Sequence, residues 1–407
     1  MESTETHSKV QQRRALFAVA IAELLALTLW FSASAVAPQL EDLWSLSTSQ
    51  AVGLTLAVQI GFVVGALGLA ALGVPDRFNS RRIFVVGGLV GAAANALLIG
   101  LDSGMFLWAF VLRALTGVAL AGVYPSGLKV MAGWFKSGRG MALGVLVGAL
   151  TVGSAGPHLI RGLGFDWRGV VLGASALMLA GVAIMAWGVN DGPHETSTGR
   201  FSLSMVRRIL RNRGWRLSTY GYLGHMWELY AMWTWTASFL SASALAAGSD
   251  DTWVPVATFS IIAIGGVGAW IAGVVADRYG RTLVAGGSMA ISGTCALLTP
   301  LVFAVSPALT LVLFLVWGLS VVADSAQFST MVTETSSEAE RGTALTLQTA
   351  LGFLLTLITI RGVPILADAW GWQWAFPVLA AGPILGIAAM VTLRRSRYAA
   401  QLAGGVG

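Results

Sequence analysis

Glu23-Leu24-Leu25-Ala26, followed by Trp30, recurs in the second half of the chain as Glu228-Leu229-Tyr230-Ala231, followed by Trp235. The offset is 205 residues for both the glutamate and the tryptophan. Each copy lies mid-way along an apolar run of about the length needed to cross a bilayer. A carboxylate in hydrocarbon costs several kcal/mol unless it is paired, protonated or facing water. Two carboxylates at matched positions of two half-chains are expected to face each other across a central cavity. The plainer alternative is that each is protonated or bonded to a neighbouring helix and simply buried.

Composition sets the class. The 407 residues are 56% hydrophobic and 11% charged, against about 25% charged in a soluble domain. Fifty glycines and sixteen tryptophans suit close helix packing and interfacial anchoring. The expected fold is an all-α membrane protein, since a transmembrane barrel would show alternating ten-residue segments instead. A single cysteine, Cys295, excludes a disulfide framework. No small-residue cleavage site follows a short apolar core near the start, so the first helix is read as retained.

Twelve spans are expected, at about 14–37, 51–73, 83–101, 106–131, 141–162, 168–188, 217–245, 254–275, 283–303, 308–331, 343–366 and 373–393. Connections on one side then hold 20 of the 25 Lys and Arg, including Arg13, Arg82, Arg139, Arg278, Arg341 and Arg394. The opposite connections hold Glu41, Asp102, Asp166, Asp250 and Asp368. The positive-inside rule places the basic side and both termini in the cytoplasm, giving a multi-pass protein of the cell inner membrane. The organisation read from this is a six-helix bundle over 1–189, a cytoplasmic linker with a basic surface helix over 190–216, and a second bundle over 217–407. The linker arginines suit anionic lipid headgroups. Nucleic acid is not expected, because base-stacking aromatics are not interleaved with them.

Repetition extends beyond the glutamates. Asp76-Arg77 matches Asp277-Arg278, Arg139-Gly140 matches Arg341-Gly342, and Ile160-Arg161-Gly162 matches Ile360-Arg361-Gly362. An even number of spans per half makes the repeats parallel.

These residues resemble the major facilitator superfamily. Gly273-Val274-Val275-Ala276-Asp277-Arg278-Tyr279-Gly280-Arg281 is similar to that family's cytoplasmic-loop signature. In the first-half copy Leu72 replaces the leading glycine and Asn79 the inner one; asparagine tolerates positive φ, so the turn can survive. Arg113 with Gly117 looks like the family's buried arginine motif, and Gly144, Gly153 and Gly156-Pro157 resemble its antiporter motif, with one spacing short. The resemblance implies two pseudo-symmetric six-helix bundles, alternating access, and a cavity lined by the first and seventh helices. It implies gating by Asp76, Arg77, Asp277, Arg278, Arg281, Arg139 and Arg341. It also implies proton-coupled efflux, as an antiporter, of a small cationic or amphipathic compound. The alternative is a symporter or facilitator importing a small metabolite or a carboxylate anion held by Arg113.

Glu23 and Trp30, seven apart, are expected on one helix face, as are Glu228, Met232 and Trp235. The resemblance, which places the first and seventh helices at the cavity, therefore implies two carboxylates below two indoles, a box suited to a cation. Arg113, always charged, needs an acidic partner, and Glu23 is the obvious one. Asp324, with Gln327 three residues on, is a third acidic candidate. Proton coupling is thus placed on Glu23, Glu228, Arg113 and Asp324. Substrate binding is placed on Glu23, Trp30, Glu228, Met232, Trp235 and Gln327, with Tyr124, Tyr230 and Gln348 as general cavity polar groups. His225 need not share the Glu228 face, and His158 is read as packed. Arg161 and Arg361 are read as snorkelling or as an outer gate ion pair. No cofactor or metal is expected: His225, Met226, Glu228 and Met232 do not converge on a helix. Catalytic motifs are missing, and the partners are a small-molecule substrate, protons and the lipid bilayer, with the protein a monomer.

The charge asymmetry predicts that a topology reporter fused after Tyr398 reads cytoplasmic and one inserted at Asp250 reads extracytoplasmic. An extracytoplasmic signal at Tyr398 would require an odd number of spans and break the repeat.

Overall fold

A computed structural model describes residues 2–135, 139–194 and 203–407. The side chains of residues 2–8, Asp76, Arg139, Gly140 and Leu203 fall outside it. The helices are α1 Glu2–Leu27, α2 Ala37–Trp44, α3 Thr48–Ala71, α4 Val74–Arg77, α5 Ser80–Ala96, α6 Phe106–Trp134, α7 Arg139–Gly162 and α8 Trp167–Ala183. The second half continues with α9 Leu203–Arg211, α10 Arg213–Ala246, α11 Val254–Tyr279, α12 Arg281–Val302, α13 Pro307–Val321 and α14 Ser325–Thr335. It ends with α15 Arg341–Trp370, α16 Trp372–Ala375 and α17 Ala381–Arg394. Among the described residues there is no strand.

Ten helical stretches among the described residues are long and apolar enough to cross a membrane, from Thr48–Ala71 to Trp372–Arg394. They fall on ten of the expected spans. Of the other two expected spans, 217–245 falls within α10, which carries Glu228, whereas 14–37 overlaps α1, which carries Glu23, only as far as Leu27. Neither is among the ten.

Packing is set by small residues that let backbones meet. In the first half, a Cβ on Gly117 of α6 would lie 2.1 Å from the Val58 carbonyl oxygen of α3, and one on Gly61 would lie 1.9 Å from that of Ala114. The second half repeats the device between α11 and α13. There, Gly268 and Gly318 leave the same 1.9 Å to the Leu319 and Ile261 carbonyl oxygens. Across the chain, α7 lies along α11 and α3 along α15. On α7, Gly148 meets Gly266 of α11 closely enough that an added Cβ would sit 3.1 Å from its carbonyl oxygen.

On the basic side, α9 docks through buried Met205 and Ile209 against Trp215, Val332 and Ala344. Arg208 Nε donates to Glu340 at 2.8 Å. Residues 195–202 of the linker lie outside the described residues.

A Cβ on Gly153 of α7 would stand 2.1 Å from the Leu24 carbonyl oxygen of α1. Gly153→Ala should therefore lower the thermal unfolding midpoint in detergent, by an overpacking cost of about 1–3 kcal/mol. Gly68→Ala, where nothing lies within 4 Å, should be neutral. Equal midpoints for the two variants would mean that α1 is not seated on α7.

Candidate functional site

The first helix does not run through Trp30. It stops at Leu27, and the chain passes through turns to a short 3-10 segment, Ser34–Val36, before α2. The seven-residue spacing of Glu23 and Trp30 therefore does not define one helix face, which corrects the sequence expectation. No glycine or proline breaks the helix. Thr28 Oγ1 instead donates to the Leu25 carbonyl at 2.6 Å and Ser32 Oγ to that of Leu29 at 3.0 Å, side-chain bonds that compete with the helical ladder.

The freed carbonyls are taken by Arg113. Its Nη1 donates to Leu29 O at 3.2 Å, to Ser32 Oγ at 2.9 Å and to Asn95 Oδ1 at 2.9 Å. Its Nη2 donates to Trp30 O at 2.7 Å. Asn95 is fixed in turn by Val171 O and Ser175 Oγ, each at 3.0 Å. Irregular backbone at membrane depth is tolerated only where protein satisfies it, and Arg113 supplies that satisfaction here. Arg113 does not pair with Glu23, contrary to expectation: the planar guanidinium found carbonyls that matched its donors.

Glu23 is fully buried, and neither carboxylate oxygen has a hydrogen-bond partner. It packs into the notch over Gly127 of α6, where a Cβ would lie 1.8 Å from Oε1. Tyr124 lies within electrostatic range of it, and Tyr222 and Tyr230 within range of Tyr124. Tyr222 also shares a side-chain hydrogen bond with Thr349.

Glu228 is treated differently. Ser292 Oγ donates to its Oε2 at 2.8 Å and Trp317 Nε1 to its Oε1 at 2.7 Å. Both partners belong to the second half, so the two repeat-related carboxylates are not held as a facing pair. Sequence reasoning missed Ser292 and Trp317, which lie on α12 and α13 with no local signal linking them to Glu228.

The two indoles also part. Trp30 joins Phe62 at 5.0 Å, Phe353 at 5.2 Å and Tyr230 at 5.8 Å between ring centroids. Trp235 instead donates to Ile360 O at 2.9 Å and lies 5.9 Å from Trp372. Phe31 and Trp233 extend the Trp30 layer through Tyr230. Gln59, one turn before Phe62, and Gln348, before Phe353, are buried, with both amide atoms of Gln59 and the amide nitrogen of Gln348 lacking partners. Gln59, Phe62, Tyr222 and Phe353 were missed, although a lone glutamine inside an apolar span is a readable signal. Met232 is buried in the core.

In the second half, His225 Nδ1 lies 2.7 Å from Asp324 Oδ1. The contact is a close ion-pair geometry rather than an aligned hydrogen bond. Asp324 sits in the interruption between α13 and α14. Gln327 Oε1 accepts from Arg281 Nη1 at 3.2 Å. Arg281 also holds Glu334 at 2.9 Å and Asp277 at 3.2 Å. Arg278 lies over Tyr279, and Arg341 donates to Thr333 O at 3.1 Å.

The first copy of this loop is built otherwise. Asn79 has φ −62° and caps α5, accepting from the backbone of Arg81 and Arg82. Positive φ is found instead at Gly73, and in the second copy at Gly280, so Asn79 is a helix cap rather than a stand-in for a turn glycine. Arg77 closes α4 and is exposed. The side chains of Asp76 and Arg139 lie outside the described residues. At the opposite end, Arg161 donates to Ala35 O at 2.6 Å and Arg361 to Ser49 Oγ at 2.8 Å, hydrogen bonds in place of the expected acidic partners. Among the described residues no cluster of metal ligands occurs.

An all-helical, multi-pass chain with glycine-notched repeats defines a polytopic membrane protein. The family model of the Major Facilitator Superfamily matches residues 19–266 and 248–405, and the chain belongs to that family. A gentisate transporter of Corynebacterium glutamicum is 29% identical over 40% of this chain and 37% of its own. Solute carrier family 22 member 7 of Sus scrofa is 31% identical over 35% and 26%. The uncharacterized transporter YgaY of Escherichia coli O157:H7 is 32% identical over 42% and 45%. The matches thus span less than half the length of these relatives.

Arg113→Met should leave the Trp30 carbonyl unsatisfied, at about 1–3 kcal/mol, and leave the Leu29 carbonyl to Ser32 alone. The thermal midpoint should fall well below that of Arg207→Met, which alters an exposed arginine. If Arg113→Met melts like the wild type, the clamp does not hold the broken helix.

Proposed function

We propose that the protein is a twelve-helix secondary transporter exporting a small cationic or amphipathic organic compound in exchange for protons, by alternating access. In this reading it is a monomer in the cell inner membrane with both termini cytoplasmic, and residues 190–216 join halves 1–189 and 217–407.

The observation that carries the reading is Glu23, a fully buried carboxylate with no hydrogen-bond partner, beside Tyr124 and just before the break in the first helix. A carboxylate so placed is either neutral or matched by a cation. Proton and cationic substrate then compete for the same oxygens, which is what an exchanger needs. The Trp30, Phe62, Tyr230 and Phe353 rings offer an aromatic body stacking surfaces and a cation their faces. Gln59 and Gln348 add amides for orientation. Glu23, rather than Glu228, is assigned the coupling role, because both Glu228 oxygens are already bonded. Asp277, Arg281 and Glu334 form the cytoplasmic latch of this reading, and Arg361 with Ser49 ties the opposite end.

A second reading, import of an aromatic acid, is favoured by the relative named for gentisate. It requires an anion site other than Arg113, whose Nη donors are committed to backbone, Ser32 and Asn95.

In proteoliposomes with an imposed pH gradient, Glu23→Gln should lower flux of an aromatic cation by about tenfold or more, while Glu228→Gln keeps coupled flux. Binding of the cation should strengthen as pH rises through the Glu23 titration, since deprotonation creates the acceptor. Undiminished gradient-driven flux in Glu23→Gln would sink the exchange reading. Binding of an aromatic carboxylate that strengthens as pH falls would favour the second.

A further inference from the structure

We propose that His225 and Asp324 form a proton-binding site of the second half, separate from Glu23, whose charge is passed through Gln327 to Arg281 at the cytoplasmic end. Three features place it. The imidazole and carboxylate lie 2.7 Å apart and both are buried. Asp324 stands in the interruption between α13 and α14, where the backbone can adjust without unwinding a continuous helix. Gln327 follows on the first turn of α14, its backbone N–H donating to Asp324 O at 3.0 Å and its side chain bound to Arg281.

With one proton the pair is neutral, whichever group holds it. Loss of that proton leaves one net negative charge among the Tyr222 and Phe328 rings. His225 Nε2 has no hydrogen-bond partner, so the proton can leave without breaking an existing bond.

The surrounding charges decide where that negative charge is felt. On α10, Glu228 lies within electrostatic range of Asp324 but is itself bonded to Ser292 and Trp317. The cation bonded next to the pair in sequence is Arg281 of α12, which holds the side chain of Gln327, three residues after Asp324. Its competing partners are Asp277 of α11 and Glu334 of α14. Arg341 of α15 is held at Thr333 O, and Arg394 of α17 reaches Thr282. From α7, His158 and Arg161 lie at the end away from Arg281, Arg161 against Ala35. Arg281 is thus shared between an inward amide and two cytoplasmic carboxylates. A net negative pair draws it inward and loosens the loop; a neutral pair leaves it to Asp277 and Glu334.

This site does not depend on which solute the protein carries, and it can be tested without one. Purified protein in lipid nanodiscs, carrying Tyr279→Cys at the exposed end of α11, is labelled with a neutral thiol reagent between pH 5 and 9, with rates corrected for thiolate formation. The corrected rate should rise several-fold with pH. His225→Gln should abolish that rise, and Gln327→Leu, which leaves the pair intact, should abolish it as well. Glu23→Gln should retain it, so failure of this proposal and failure of the exchange reading are distinguishable. A pH-independent corrected rate in the protein with native His225 and Gln327 overturns the proposal without further variants. So does a rise that persists in both His225→Gln and Gln327→Leu.

Discussion

Everything around the Glu23 site depends on one guanidinium. Arg113 reaches two backbone carbonyls that the first helix has released, and it is itself braced by Ser32 and Asn95. In hydrocarbon an unsatisfied carbonyl costs several kcal/mol, so the break and the arginine stabilise each other. The break turns Trp30 out of helical register with Glu23 and into the ring layer with Phe62, Tyr230 and Phe353. The close seating of Leu24 on Gly153 and of Glu23 over Gly127 leaves α1 little room to shift.

The two halves share a plan and use it differently. Paired glycine notches recur between α3 and α6 and between α11 and α13. The related glutamates diverge: one has no hydrogen-bond partner, the other is tied by Ser292 and Trp317. The loop signature diverges too, with Arg281 joining two carboxylates in one half and Asn79 capping a helix in the other. Matched sequence positions thus carry the fold, and their neighbours set the chemistry.

Hydropathy located the apolar spans because a membrane helix must be continuous in composition as well as in hydrogen bonding. Glu23, Asp324 and Arg113 were legible as intramembrane polar residues, and the Asp277–Arg281 loop as a motif. The break after Leu27 was not legible. It carries no proline or glycine, and the local Thr28 and Ser32 bonds are completed only by Arg113, 84 residues from Leu29. The pairing of Arg113 with Glu23 was inferred from charge alone, which ignores how well a guanidinium matches carbonyl oxygens. The expectation that Trp30 and Trp235 share one box assumed that a repeat preserves contacts as well as positions.

The helix that carries Glu228 raises a question of assembly. As a membrane span, α10 would hold a carboxylate near its middle, at about 2.5–3.5 kcal/mol for a charged residue there on translocon scales. The groups that bind Glu228 are synthesised 64 and 89 residues later, on α12 and α13. Its final seat therefore does not exist while α10 is being made. As a span, the nascent helix would have to wait, neutral or at the edge of the membrane, for the helices that carry Ser292 and Trp317.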